Sequence, residues 1–135
     1  MILADTSAWV EYDRATGSPV HHRMRELIEA EGELAVSEPV VAEIAAGARD
    51  DHRERDLRRL LGRFELLRFE AEVDFDGAAR IHRACRRNGV TPRGLIDCMI
   101  AAVALRYGAD VLAHDADLAR IATVVPLSLD AATLG

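Results

Sequence analysis

The 135-residue sequence contains no lysine, and all 17 of its basic residues are arginine. Chemistry that depends on a lysine, such as a Walker A phosphate loop or a Schiff base, is thereby excluded. Two cysteines, Cys85 and Cys98, are too few for a disulfide framework and fit no zinc spacing, so reduced thiols are expected. No apolar run approaches the roughly 20 residues that span a bilayer. The longest, Leu95 to Leu105, is interrupted by Asp97. The opening Met1-Ile2-Leu3-Ala4-Asp5 lacks the charged start and long apolar stretch of a signal peptide, so a cytoplasmic chain with no membrane contact is expected. Aromatic residues are scarce as well, at 4%, and Trp9 and the three phenylalanines are assigned to the core, not to a base-stacking platform. Positive charge is outweighed: 23 acids against 17 arginines give a net charge of -6. Nothing here makes a global basic field for nucleic acid, so such a substrate would need clustered arginines, bound cations or a partner.

What is present is an even supply of apolar residues, half of the chain, with a mean hydropathy of -0.01 that argues against disorder. The length suits a single domain over residues 1–135. Short apolar runs ending at turn or acidic residues read as strands: Ile2-Leu3-Ala4, Leu34-Ala35-Val36, Leu66 to Phe69 at an edge, Val111-Leu112-Ala113, and Val124 to Leu127 at an edge because of Pro126. Between them lie segments with helical spacing. Thr6 or Ser7 can cap the first, Ser18-Pro19 opens the second, and Val20, Met24, Leu27 and Ile28 form its apolar stripe. Others run from Ser37-Glu38-Pro39 to Gly47, from Asp50 to Phe64, from Phe75 to Arg87, from Leu95 to Tyr107 and from Ala116 to Ala122. The Leu95–Tyr107 segment is apolar nearly all round and is expected to be the central buried helix. Strands separated by helices predict an α/β fold, with a mostly parallel central sheet of four to five short strands flanked by helices.

Four acids stand out against this frame. Open parallel sheets bind ligands at the carboxyl ends of their strands, and Asp5 and Asp115 each follow a predicted strand directly. Asp97 lies in the first turn of the most apolar helix, where a charge is costly unless compensated. Glu43 sits among Val40, Val41, Ile44 and Ala45. Taken singly, Asp5 and Asp115 read as helix caps and Glu43 as a solvated residue. Taken together they read as a cluster, and carboxylates about 4 Å apart repel by roughly 4 kcal/mol per pair at an effective dielectric of 20. Shared protons or bound cations would relieve that repulsion, and oxygen-only ligands favour Mg²⁺ or Mn²⁺ over zinc.

In order along the chain, Met1-Ile2-Leu3-Ala4-Asp5-Thr6-Ser7-Ala8-Trp9, Pro39 to Glu43-Ile44 with Gly47, Thr91-Pro92-Arg93-Gly94-Leu95-Ile96-Asp97 and His114-Asp115-Ala116-Asp117 resemble the PIN-domain ribonucleases, and among them the VapC toxins of bacterial toxin–antitoxin pairs. The resemblance implies a single PIN-like domain and an Mg²⁺-dependent endoribonuclease, Mn²⁺ being an alternative ion, that cleaves RNA phosphodiester bonds with a metal-activated water. It also implies a small VapB-type antitoxin as partner and a homodimer. Carried over by position, Asp5, Glu43, Asp97 and Asp115 form the catalytic acidic quartet, with Asp5 and Asp97 holding the metal. Ala113 and Leu118 stand where the family often has a histidine and an aromatic, so Asp117 could share the role of Asp115 or simply face solvent. Thr6 could donate a hydrogen bond to metal-bound water or phosphate, or serve as a cap. Arg93 could grip a phosphate or pair with Asp97 one turn away.

The stretch from Arg49 to Arg59 nearly neutralises itself and reads as a solvated helix face, whereas Arg83, Arg86 and Arg87 make a cleaner positive patch close to Arg93. His21 and His22 are assigned ordinary surface roles. The apolar face of Leu57, Leu60, Leu61 and Phe64 packs within the chain or serves a dimer or antitoxin groove. Two other functions compete. A receiver-type phosphoacceptor domain also clusters carboxylates around Mg²⁺ but depends on a lysine, and a catalytically inactive PIN-like module would only bind.

Overall fold

The computed structural model of the protein describes residues 1–133. Four strands, β1 (Ile2–Ala4), β2 (Leu34–Val36), β3 (Glu65–Leu66) and β4 (Asp110–Leu112), form one parallel sheet in the order β3-β2-β1-β4. In the central strand, Leu3 lies opposite Ala35 on one side and Val111 on the other. Every residue of β1 and β2 is buried, as expected where helices cover both faces of a parallel sheet. The short β3 is exposed and forms one edge.

Among the described residues, seven helices surround the sheet: α1 (Thr6–Arg14), α2 (Pro19–Glu29), α3 (Glu38–Ala46), α4 (Asp51–Leu61), α5 (Ala71–Arg87), α6 (Leu95–Tyr107) and α7 (Ala116–Ala122). Local chemistry sets their ends. Ser18 Oγ accepts the His21 N–H at 3.0 Å, with Pro19 in the first helical position where no N–H is needed. Gly108 closes α6 at φ 67°, a conformation glycine adopts without a Cβ penalty. The core is continuous across both faces, and α6 contributes Ile100, Ala101, Val103 and Ala104 with no exposed surface, as its apolar sequence requires.

Five expectations need correction. Val124–Leu127 is not a strand: Pro126 offers no N–H, and the Leu127 N–H turns back to the Val125 carbonyl at 2.7 Å. The pairing occurs later, where the Val111 N–H donates to Ser128 O and the Asp130 N–H donates to Val111 O, giving one parallel bridge at Leu129. Helix α5 begins at Ala71, before Phe75, because the Asp74 carboxylate reaches back to the Glu70 N–H at 2.8 Å. Phe75 therefore stands 54% exposed, its ring in edge contact with Phe69, and not in the core. His21 is buried, not a surface residue; its Nδ1 accepts the Gly17 N–H at 2.9 Å and its ring stacks on His22. The edge strand predicted over Leu66–Phe69 lies at Glu65–Leu66.

One ion pair ties α5 to α6. Arg106 Nε and Nη2 donate to the two oxygens of buried Asp74 at 3.0 and 2.7 Å, and Nη2 also reaches the Arg68 carbonyl. Burial alone would push the Asp74 carboxyl up; this fork and the Glu70 N–H outweigh it and hold the group below the usual carboxylate range. Arg106→Ala strands a carboxylate whose side chain is only 3% exposed. A loss of about 2–3 kcal/mol is expected in urea unfolding, below the full cost of breaking a buried pair because the arginine is partly solvated.

Candidate active site

The strand order brings distant acids together. Because β1 and β4 are neighbours, Asp5 at the end of one and Asp115 just past the end of the other reach the same rim of the sheet. Asp97, in the first turn of α6, joins them. One carboxylate oxygen from each of the three lies within 4.8 Å of the others.

Asp5 is 2% exposed and caps α1: its Oδ2 accepts the Ser7 N–H at 3.3 Å and the Ser7 hydroxyl at 2.8 Å. Neither Thr6 nor Ser7 is the cap, since the residue before the helix takes that place. The Ser7 oxygen in turn accepts the His114 N–H at 2.8 Å, which ties the start of α1 to the end of β4. Capping uses only one Asp5 oxygen; Oδ1 is buried and has no hydrogen-bond partner. Asp115 behaves alike, capping α7 through the Asp117 N–H at 3.0 Å. The cap reading and the cluster reading thus hold together for both residues.

Electrostatics reflect the crowding. Burial pushes Asp97 up to about 7, with Asp5, Asp115, Asp117 and Glu43 adding repulsion. Burial likewise raises Asp5 to about 6; its Ser7 hydrogen bond opposes that rise and Asp115 adds to it. Mutually repelling carboxylates, one buried and two half-buried, are what a divalent cation with oxygen ligands stabilises, and the orphaned Asp5 oxygen gives such an ion a free donor. The residues present therefore fit a divalent cation that takes oxygen ligands.

Glu43 faces the same opening as Asp5, Thr6, Asp97 and Asp115 but stands outside the close triad. The Thr6 hydroxyl donates to Glu43 Oε1 at 2.6 Å, so its proton is already committed to this carboxylate. Arg93 does not pair with Asp97. Its Nε donates to Asp117 Oδ2 at 2.8 Å, while Arg120 Nη1 holds Asp117 Oδ1 at 3.0 Å. Asp117 is consequently buried, 4% exposed, and does not face solvent. Arg93 itself lines an opening shared with Glu43, Asp97 and Asp115. Sequence reasoning missed the bridging role of Ser7, the contact of His114 Nε2 with Glu11 at 3.4 Å and the double arginine clamp. Only the i, i+3 spacing of Asp117 and Arg120 was visible beforehand.

Comparison with known proteins agrees with this geometry. The PIN domain family model matches residues 2–124. A VapC ribonuclease of Mycobacterium bovis and ribonuclease VapC11 of Mycobacterium tuberculosis are each 46% identical over 128 residues, spanning 94% of this chain and 96% of theirs. In fold, the chain is similar to VapBC2 from Rickettsia felis, crystallised with a DNA fragment from its promoter: the TM-score is 0.76 at 19% identity, over 96% of this chain and 98% of that one. A domain match over nearly the whole length, with close relatives of the same extent, places the chain in the PIN-domain family, in its VapC branch.

Proposed function

We propose that the protein is a divalent-cation-dependent endoribonuclease, the toxin of a VapBC-type pair. The observation that carries this is the convergence of Asp5, Asp97 and Asp115 within ligand distance, with a buried Asp5 oxygen left unpartnered. The VapC relatives are named ribonucleases, which supports RNA as the substrate.

Asp5 and Asp97 would hold the cation, Mg²⁺ or Mn²⁺, with Asp115 offering a further carboxylate oxygen. Bound there, it would supply Lewis-acid polarisation of the phosphate and a more acidic water at neutral pH. Glu43, fixed by Thr6, takes the proton of the attacking water. The new P–O bond forms as the bond to the leaving oxygen breaks, and that oxygen takes up a proton from solvent water while Glu43 releases its own to solvent. Arg93 uses Nε on Asp117, which leaves its two Nη groups for a phosphate. Asp117 acts through Arg93 as a positioning residue. The receiver-type alternative has no lysine to work with.

A VapB-type antitoxin suits the apolar groove between α1, α3 and α4. The groove is lined by Trp9, Val10, Ile44, Leu57 and Leu60 and leads to Thr6 and Glu43. Several solved structures of this fold are toxin–antitoxin complexes.

Purified protein should cleave total RNA at discrete sites with Mg²⁺ or Mn²⁺ and stop in EDTA, read by mapping the new ends. RNA left intact under every cation, while an antitoxin still binds, would establish the inactive module instead.

A further inference from the structure

Residues 77–96 carry five of the 17 arginines and none of the 23 acids. In a chain of net charge -6, this makes the second half of α5 and the loop after it a local island of positive charge. Arg83 and Arg87 share one helical face at i, i+4, about 6 Å apart, with Arg86 beside them. All three are exposed and, among the described residues, none makes an ion pair. Three of the four arginines of α4 differ, since Arg53, Arg58 and Arg59 are each paired with a carboxylate.

Packing fixes where the island lies. Asp74 at the start of α5 meets Arg106 at the end of α6, and Gly77 meets Ala102. The two helices are therefore antiparallel, and the end of α5 lies beside the start of α6, which bears Asp97. Arg93, in the connecting loop, already lines the opening of the acidic site. The arginines thus run from the far end of α5 to the rim of the carboxylate cluster, an approach that carries positive charge and no acid between Gly77 and Ile96.

We infer that Arg83, Arg86 and Arg87 form a phosphate-binding track that holds the RNA strand outside the cleavage site and feeds it past Arg93. The inference rests on the nuclease reading and names how the substrate is gripped. Phosphate contacts of this kind position the strand without reading its bases.

The test is equilibrium binding of a fluorescent 30-nucleotide mixed-sequence RNA to the full chain without divalent cation, over a salt series. Each lost single-strand contact lowers the slope of log K against log salt by about 0.7. Replacing the three arginines together by alanine should weaken binding at least about tenfold and flatten the slope by about 2. The triple lysine replacement, R83K/R86K/R87K, should restore the slope, because point charge suffices for phosphate. An unchanged slope in a variant with wild-type Tm overturns the track and leaves the arginines as partners of the helix C-terminus. An unchanged slope with lost antitoxin capture overturns it in favour of an acidic protein surface. If the wild type never cleaves RNA yet the slopes differ as stated, the nuclease reading fails and the track stands; cleavage with unchanged slopes does the reverse.

Discussion

Asp97→Asn should abolish RNA cleavage and at the same time make the cation-free protein more stable. The carboxyl is pushed up to about 7 by burial first and then by Asp5, Asp115, Asp117 and Glu43, so its ionised form is held in the fold against a cost. Asparagine keeps the size and removes the charge. At pH 8 in EDTA the gain should be about 1 kcal/mol, well below what the full shift would imply because the side chain is only half-buried, or roughly 3–5 °C in Tm for a chain this long. The sign is checked by pH. Asp97 is protonated in the fold at pH 5, so the gain should shrink there. Activity moves the other way: losing one of two principal cation ligands removes several kcal/mol of charge stabilisation, and about 4 kcal/mol is ~10³ in rate. A variant that melts lower at pH 8 and still cleaves would place the acid cluster outside the chemistry.

The same conflict between charge and burial made Asp97 legible in the sequence, while other parts of the molecule were not. Strands β1 and β2 are apolar triplets bounded by Asp5 and by Ser37-Glu38-Pro39, and both lie where periodicity put them. The acids were legible for a related reason: Asp97 contradicts the apolar helix that holds it, and Asp5 and Asp115 follow strands whose adjacency a parallel sheet makes plausible. What failed depended on atoms far apart in sequence or on backbone donors. The Val124–Leu127 run has strand-like residues, yet Pro126 and the Leu127 turn leave it no ladder N–H, and pairing moves to Leu129. Arg93 finds Asp117, 24 positions on, in preference to Asp97 one turn away. His21 is buried by the Gly17 loop, whose φ of 80° turns the backbone N–H toward its ring. Such contacts exist only once the sheet order has set which loops meet.

Divalent cation should stabilise the protein in a strongly pH-dependent way. Asp5 and Asp97 are held near 6 and 7 in the fold, whereas unfolded aspartate titrates near 3.9. Between about pH 4 and 7 the folded chain therefore binds more protons than the unfolded one, and stability without cation must fall as pH rises through that window. A cation needs the same oxygens deprotonated, so it competes with protons. Its effect should be slight at pH 5, grow through pH 6–7 and level off by pH 8. At 100 times Kd the gain is about 2.7 kcal/mol, roughly 10 °C in Tm for this length. Asp5→Asn should remove the Mg²⁺-induced shift, since it deletes the ligand whose Oδ1 has no other partner, whereas Arg106→Ala should lower Tm and leave the shift intact. Thermal melts with Mg²⁺ and with EDTA at pH 5 and pH 8 decide it. A shift equal at both pH values, or one that survives Asp5→Asn, would locate the ion away from the three carboxylates and with it the proposed chemistry.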